Sequence, residues 1–520
     1  MNKKLFQPIF YALVLIIGIL LGQNFVINYS NLGFFDFFSK NAKKINTPAA
    51  YQSNNKINAI LNFIEENYVD DFSIEDYEEE IIQSILNQLD PYSSYIPTND
   101  QKIEEDLMHG SFGGIGIEFS ILNDSLVVIS AISGGPSKEL GIKSGDRIIE
   151  VNGKNIASIG ITNTDVVTKL RGEKGTKVEI KIYRRDHSKL LNFTIVRGDI
   201  PLNSIDASIM ISDQTGYVKI NRFSATTNDE FHNATHELLL NGMNKLILDL
   251  RDNPGGYLDA AIYICDQFLK KGELILYTKG KHFKKEEVWS TSQGNLKNIE
   301  LTVLINEGSA SASEIVSGCM QDLDRALIIG RKSVGKGLVQ REVKLNDGSA
   351  IRLTIQKYYT PSGRSIQTPY HTREENKNTD TSIDSLQYTT KNGRIVYGGG
   401  GITPDFIIQT DTNDYRKINI MIINDWIREF SMSYNDLVDV KRGFISIDKN
   451  HIYDRFKKFV IKKDKRFDFN MKDEIIERLK IIISANIAKN AWGNHAYYTI
   501  LLQDDQYINK AKEILKKNNE

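Results

Sequence analysis

Cysteine is almost missing from this chain: Cys265 and Cys319 are the only two among 520 residues. Two thiols build neither a disulfide framework nor a zinc site. Each lies among apolar residues at helical spacing, which reads as a buried thiol. Net charge is nearly missing as well, −1 from 65 basic and 66 acidic side chains. A general nucleic-acid binder needs a basic excess, so that class is set aside. The HExxH zinc motif is missing too. His232 and His236 stand four apart, but Asn233 takes the glutamate's place, so no metal is expected. What is there is an ordinary globular composition, long enough for two to four domains.

The chain opens with two lysines ahead of an apolar run over residues 9–21. That length lies between a signal peptide's apolar region and a spanning helix. No A-x-A cleavage site and no lipobox cysteine follow it. Residues 1–27 are therefore read as an uncleaved signal anchor. The alternative is a cleaved signal peptide and a secreted chain. The lysines leave the N-terminus in the cytoplasm and place the rest outside it, in the periplasm or cell envelope. A mixed linker spans residues 28–54. In residues 55–105, Ile57, Ile60, Leu61 and Ile64 mark one amphipathic helix, and Ile81, Ile82, Ile85, Leu86 and Leu89 a second. Asp90-Pro91-Tyr92-Ser93 ends it, because proline disfavours helix in the residue before it. Residues 411–520 carry further amphipathic helices, such as Ile475, Ile476, Leu479, Ile482 and Ile483, and no motif. These helical ends are candidate assembly surfaces, and the oligomeric state is unreadable.

Residues 106–198 have another character: short strand-like runs, the hairpin signal Asn152-Gly153, and a glycine loop, Gly113-Gly114-Ile115-Gly116-Ile117, entering a strand. With Gly134-Gly135-Pro136-Ser137 and Leu140-Gly141-Ile142-Lys143-Ser144-Gly145-Asp146-Arg147-Ile148, this stretch resembles a PDZ domain. The resemblance implies that bare N–H groups of residues 113–117 receive a protein's terminal carboxylate. An adjacent strand edge then pairs with the tail.

Residues 199–410 alternate strand-like and helix-like runs, which predicts a parallel sheet with crossover helices. One stretch holds the chemistry. After the apolar run of residues 301–305 come Gly308 and three alternating serines, Ser309, Ser311 and Ser313, then apolar residues at helical spacing. A second apolar run, residues 326–330, is followed by Lys336 between Gly335 and Gly337. A serine and a lysine thus each sit just past a strand end, where open α/β sheets keep their binding groups. A neutral lysine can take a serine's proton, and burial without a counter-ion favours that form. Gly255 or Gly256, past a neighbouring strand, can supply an N–H to an oxyanion.

Three plainer readings compete. Ser311-x-x-Glu314 is also a capping box, which would make Ser311 a helix cap. Gly330-x4-Gly335-Lys336 approaches a P-loop and nucleotide hydrolysis, but Gly337 stands where Ser or Thr should hold magnesium. A Ser-His-Asp triad would have to draw on His282.

The motifs together decide among them. Gly308-Ser309-Ala310-Ser311-Ala312-Ser313-Glu314, Gly335-Lys336-Gly337-x-Val339-Gln340, Asp249-Leu250-Arg251-x-Asn253-x-Gly255-Gly256, Tyr359-Thr360-Pro361-Ser362-Gly363-Arg364 and Gly401-Ile402-x-Pro404-Asp405 resemble the carboxy-terminal processing peptidases, the tail-specific S41 family. The resemblance implies Ser311 as nucleophile, Lys336 as base and Gln340 as its orienting partner. It also implies N–H donors at Ala312 and at Gly255 or Gly256, and no cofactor. The expected molecule is multidomain α+β. It has an α/β Ser-Lys peptidase core with a parallel-strand sheet, a PDZ-like domain, and helical regions at both ends. The expected substrates are proteins held by their C-terminal tails. A catalytically inactive tail-binding scaffold is the alternative.

Overall fold

In a computed structural model the described residues are 56–122, 124–132, 134–185, 187–370, 386–409, 412–434, 438 and 443–517. The apolar run at residues 9–21 lies outside them. Among the described residues no helix is long and apolar enough to cross a membrane. The chain divides into two units, Met1–Ile81 and Ile82–Glu520. In the first, helix α1 (Lys56–Asn67) takes up the first predicted amphipathic pattern. Helix α2 (Glu78–Asn87) takes up the second, and the division falls inside it.

The second unit begins with strand β1 (Ser94–Ile96) and helix α3 (Thr98–His109). Strand β2 (Ser111–Gly114) then enters the PDZ-like segment. That segment contains β3 (Ile117–Ile121), β4 (Leu126–Ala131), α4 (Pro136–Glu139), β5 (Arg147–Val151), β6 (Lys154–Asn155), α5 (Asn163–Leu170), β7 (Lys177–Tyr183) and β8 (Leu191–Val196). Its sheet runs β3-β4-β5-β7-β8, with β6 on β5. Buried Leu126, Val128, Ile148, Ile180 and Ile182 pack against Val166 and Leu170 of α5. Strand β9 (Gly198–Pro201) pairs with β2 and closes the segment.

The core follows as β10 (Ile205–Met210), β11 (Thr215–Ile220), α6 (Thr227–Leu240), β12 (Lys245–Asp249), α7 (Leu258–Phe268), β13 (Leu274–Lys279), β14 (Glu286–Trp289), β15 (Glu300–Ile305), α8 (Ala312–Asp322), β16 (Leu327–Gly330), β17 (Leu338–Lys344) and β18 (Ala350–Tyr359). Beyond it lie β19 (Gln387–Thr389), β20 (Ile395–Tyr397) and β21 (Phe406–Ile407). The main sheet is β10-β11-β12-β15-β16-β21. Only β10 is antiparallel to its neighbour; the other pairs are parallel. Every residue of β11 and β12 is buried, as a parallel sheet covered on both faces requires. Helices α6, α7 and α8 cover one face through Phe231, Ile264, Phe268, Val316 and Met320.

A second sheet showed in the sequence pattern only at one hairpin, β17 and β18 around Asn346-Asp347-Gly348. It joins β1, β18, β13 and β14, with β17 on the other edge of β18. Its strands lie in distant stretches: β1 pairs with β18 across more than 250 residues, Ser94 opposite Arg352. Strands β19 and β20 form an antiparallel hairpin, Gln387 opposite Tyr397.

The C-terminal stretch forms α9 (Thr412–Ile423), α10 (Trp426–Tyr434), α11 (Lys449–Lys463), α12 (Asp473–Trp492), α13 (Asn494–Leu501) and α14 (Gln506–Lys517). Helices α9 to α12 share a core around Ile427, Phe430, Phe456, Leu479 and Ile483. Helix α14 behaves differently. Its Ile508, Ala511, Ile514 and Leu515 pack on Tyr217, Ile247, Leu304 and Ile329. That is the second face of the main sheet.

Candidate active site

The loops after β12, β15 and β16 meet at the carboxyl ends of the parallel strands. Two of the three serines tie these loops together. The Ser309 hydroxyl donates to the Leu250 carbonyl at 2.8 Å, and the Ser313 hydroxyl to the Asn253 carbonyl at 2.9 Å. Both serines are buried. Asn306 adds a reciprocal pair: the Asp252 N–H donates to its Oδ1 at 2.8 Å, and its Nδ2 donates to the Asp252 carboxylate at 2.8 Å. The loop carrying Ser311 and the loop carrying Gly255 and Gly256 are thereby one body.

Ser311 stands at the start of α8 with φ 54° and ψ −111°. Ser311 is the N-cap residue of α8, and Glu314 accepts its N–H as in a capping box, but its backbone is not the extended one of an ordinary cap. A non-glycine residue at positive φ carries strain of about 1–3 kcal/mol and persists only where its surroundings over-determine it.

Glu314 is the main determinant. It is 0 % exposed. Its Oε2 accepts the N–H of Ser311 at 2.8 Å and the N–H of Lys336 at 2.8 Å. Its Oε1 accepts the Gly335 N–H at 2.7 Å and the Ser333 hydroxyl at 2.5 Å. Burial raises its pKa, and these bonds only partly offset that. From the other side the Tyr358 hydroxyl reaches the carbonyl of Lys336 at 2.9 Å and that of Ser311 at 3.2 Å. The backbones of Ser311 and Lys336 are thus clamped together through both their N–H and their C=O groups. In the sequence Glu314 carried a capping signal and closed the serine motif without a role of its own, and Tyr358 carried no signal.

Lys336 donates from Nζ to the Gln340 Oε1 at 2.7 Å. The Gln340 amide nitrogen in turn donates to the Tyr92 carbonyl at 2.7 Å. The pairing of β17 with β18 shifts register between Val339 and Gln340; such an irregularity re-aims a side chain. Burial lowers the Lys336 pKa, and the nearby Arg352 guanidinium adds to this. Asp90 and Glu314 oppose it. The Tyr92 ring lies 5.1 Å from Nζ. Asp90-Pro91-Tyr92-Ser93, read from the sequence as a helix terminator, thus forms a wall of this site.

The strand β17 begins two residues after Lys336. A P-loop lysine opens a helix instead, so the P-loop reading fails on geometry. His232 and His236 are exposed on α6 with stacked rings 6.2 Å apart. Among the described residues no group of three His, Cys, Asp or Glu is placed to hold a metal.

The two candidate glycines differ. Gly255 donates its N–H to the Asn253 side chain at 2.9 Å, and its carbonyl accepts the Phe223 N–H at 2.9 Å. A Cβ on it would lie 2.9 Å from the Ser311 Cβ and 3.0 Å from the Ala312 nitrogen, so the loop backbone presses directly on the turn that carries Ser311. Gly256 bridges to Phe223 alongside, and a Cβ there would lie 2.0 Å from the Phe223 carbonyl oxygen. Ala312 is the first residue of α8, where helical N–H groups lack intrahelical partners.

In the PDZ-like segment Gly113 and Gly114 are strand residues, paired with Asp199 and Gly198. Ile115 and Gly116 form the turn into β3, which Ile117 begins. Their carbonyls accept the N–H groups of Ser137 at 3.1 Å and Ile132 at 2.9 Å. Strand β3 ends its sheet, with β4 as its one partner among the described residues. Ile117, Phe119 and Ile121 line one face of it, half-buried against the core that includes Val166 and Leu170.

Residues 214–374 match the family described as Peptidase family S41, and residues 113–195 match the PDZ domain. The chain is 38% identical over 294 residues to a carboxy-terminal-processing protease of Bartonella bacilliformis, covering 56% of this chain and 67% of that protein. It is 35% identical over 314 residues to the carboxy-terminal processing protease CtpB of Bacillus subtilis, covering 60% and 65%. Against a probable CtpA-like serine protease of Staphylococcus aureus it is 31% identical over 379 residues, covering 72% and 74%. The chain belongs to peptidase family S41. This S41 peptidase is a serine peptidase with a PDZ domain, of the carboxy-terminal processing kind, as its motifs predicted.

Proposed function

We propose that Ser311 is the nucleophile and Lys336 the general base of an endopeptidase that acts on proteins presented by their C-terminal tails. The observation that carries this is the double clamp of Ser311 to Lys336 through Glu314 and Tyr358. A lysine with a depressed pKa holds a neutral fraction that can accept a proton. Lys336 takes the Ser311 hydroxyl proton as Oγ bonds to the substrate carbonyl carbon. The oxyanion is received by the N–H groups of Ala312 and of the Gly255–Gly256 turn. Gly256 suits this better, because the Gly255 N–H is engaged by Asn253. The C–N bond then breaks, and Lys336 returns the proton to the leaving amine. Water, deprotonated by Lys336, releases the acyl group as a carboxylate and restores Ser311. Gln340 holds the amine in place through its 2.7 Å bond.

The tail enters the turn of residues 115–117 and pairs with the open edge of β3. Alternate side chains of an added strand face one side, and Ile117, Phe119 and Ile121 give that side an apolar lining. Gly113 and Gly114 shape the turn rather than receive the carboxylate, since both are engaged in pairing with β9. The N-terminal segment anchors the chain, with the catalytic part outside the cytoplasm; this rests on residues 1–27 alone.

The full chain is tested on a loosely folded protein ending in apolar residues. Ser311→Ala and Lys336→Ala should each abolish cleavage. Undiminished cleavage by either variant overturns the dyad. Blocking the substrate's terminal carboxylate as an amide should slow cleavage, and no effect would remove the tail-binding role.

A further inference from the structure

The first residues of the loop that ends in Gly255 and Gly256 are held by a buried charge cluster. Arg251 lies with its guanidinium on the Asp249 carboxylate, Nε to Oδ2 at 2.9 Å, and its backbone N–H donates to Asp249 Oδ1 at 2.9 Å. Lys219 donates from Nζ to the Arg251 carbonyl and lies 3.5 Å from Asp249. The Tyr217 hydroxyl donates to the same carboxylate at 2.8 Å. Burial pushes the Asp249 pKa up, but the Arg251 and Lys219 charges outweigh it and hold the carboxyl well below the usual carboxylate range.

One member of this cluster comes from the far end of the chain. Arg251 donates from its second nitrogen to Asp505 Oδ2 at 2.8 Å. Its guanidinium also lies 4.6 Å from the centre of the Tyr507 ring. Asp505 is 5 % exposed. Its other oxygen, Oδ1, caps α14 by accepting the N–H groups of Tyr507 at 2.9 Å and Ile508 at 3.4 Å. The residue is therefore split between two tasks: one oxygen fixes the helix, the other fixes Arg251. Helix α14 is in turn seated on β12, β15 and β16, the strands whose ends carry the catalytic loops. These residues lie beyond the 214–374 segment matched to the family.

We propose that Asp505 is a positioning residue for the oxyanion loop, and that α14 is a working part of the peptidase core rather than an appendage. It acts through Arg251: an anchored guanidinium fixes where the loop leaves β12, and so where the turn at residues 255–256 meets Ser311. The inference rests on the reading of that turn as the oxyanion donor.

Asp505→Asn separates the two tasks. Asparagine caps helices as well as aspartate does, so its oxygen can keep the α14 cap, while its NH2 group faces Arg251. In the full chain the expected result is kcat lower by about tenfold or more with KM unchanged, since small misplacements of catalytic groups cost rate steeply. The rate at which a fluorophosphonate probe labels Ser311 should fall in parallel. Asp505→Glu should restore part of both rates. Leu515→Val, which loosens α14 on the sheet without touching Arg251, should lower the thermal midpoint and leave kcat unchanged. If Asp505→Asn does not fold, Tyr507→Leu, which removes the ring beneath Arg251, is measured in its place, with the same outcome expected. A kcat within twofold of the parent overturns the proposal, as does a loss that Leu515→Val matches at equal thermal stability. Ser311→Ala retaining cleavage would instead overturn the underlying site.

Discussion

Glu314→Gln asks the site to keep its shape with half of its central acceptor. The carboxylate has two oxygens and four donors: Ser311 and Lys336 N–H on Oε2, Gly335 N–H and the Ser333 hydroxyl on Oε1. An amide offers one oxygen. Placed at Oε1, it leaves two buried N–H groups facing an NH2. Placed at Oε2, it leaves one, that of Gly335. A buried donor left without a partner costs about 1–3 kcal/mol, so the second placement is preferred by about that amount. The Ser333 oxygen already accepts the Ile402 N–H at 2.7 Å and has a second lone pair for the amide. The variant should therefore fold, with stability lower by about 1–3 kcal/mol. That corresponds to a thermal midpoint a few degrees lower for a domain of this core's size. Freed at Gly335, the turn carrying Lys336 can shift against Ser311, and kcat should fall by about ten- to a hundredfold. Glu314→Ala leaves three buried N–H groups unpaired, about 3–9 kcal/mol, which rivals the whole stability of an ordinary domain; it should not fold. Scanning calorimetry and peptide-hydrolysis rates read both. Glu314→Ala with parental stability, or Glu314→Gln with parental kcat, would refute the clamp.

Other outcomes follow from the same geometry. Lys336 must be neutral to act, so kcat/KM should rise with pH through a pKa below the ordinary lysine value, because burial and Arg352 lower it. Arg352→Gln removes one of the two causes and should move that rising limb to higher pH in a pH–rate profile; an unmoved limb would exclude Arg352. A lysine lowered in this way carries its desolvation cost at every pH below the folded pKa. Stability on its account should therefore grow as pH climbs from the folded toward the unfolded value, a slope that Lys336→Met should remove from denaturant titrations. Gly256→Ala would set a Cβ 2.0 Å from the Phe223 backbone oxygen and should lower both the thermal midpoint and, by more than a hundredfold, kcat; near-parental activity would show that the turn is not held as described. Tyr358→Phe removes the hydroxyl shared by the Ser311 and Lys336 carbonyls and should lower kcat severalfold at little cost in stability, read by steady-state kinetics and thermal melting.

Much of the molecule was legible because its signals are local. The buried run of residues 245–249, the helix after Ser311 and the hairpin turn at residues 346–348 each follow from periodicity or turn chemistry within a few residues. Of the second sheet only that hairpin, β17 with β18, was legible; the rest is made by pairings such as Ser94 with Arg352 that no local pattern encodes. Tyr92 escaped for the same reason: a residue past a proline turn says nothing about the lysine it will meet more than 240 positions later. Helix α14 read as one more amphipathic helix, since amphipathicity gives the apolar face but not the surface it will cover.

The sequence by itself determined that this chain is an S41-type peptidase with a PDZ domain, and that Ser311 and Lys336 are its candidate pair. The resemblance of its motifs to the family carries that; residue type and spacing alone place a serine and a lysine past strand ends. The tertiary structure decided which serine stays uncommitted, because Ser309 and Ser313 are used up on the backbone of the 250–253 loop. It also separated Gly256 from Gly255, through a hydrogen bond to Asn253 that no motif records. Glu314 and Tyr358 became visible as the parts that hold Ser311 and Lys336 together. A clamp is a property of what converges in space, and a buried carboxylate between two loops becomes a determinant only once both loops are folded against it.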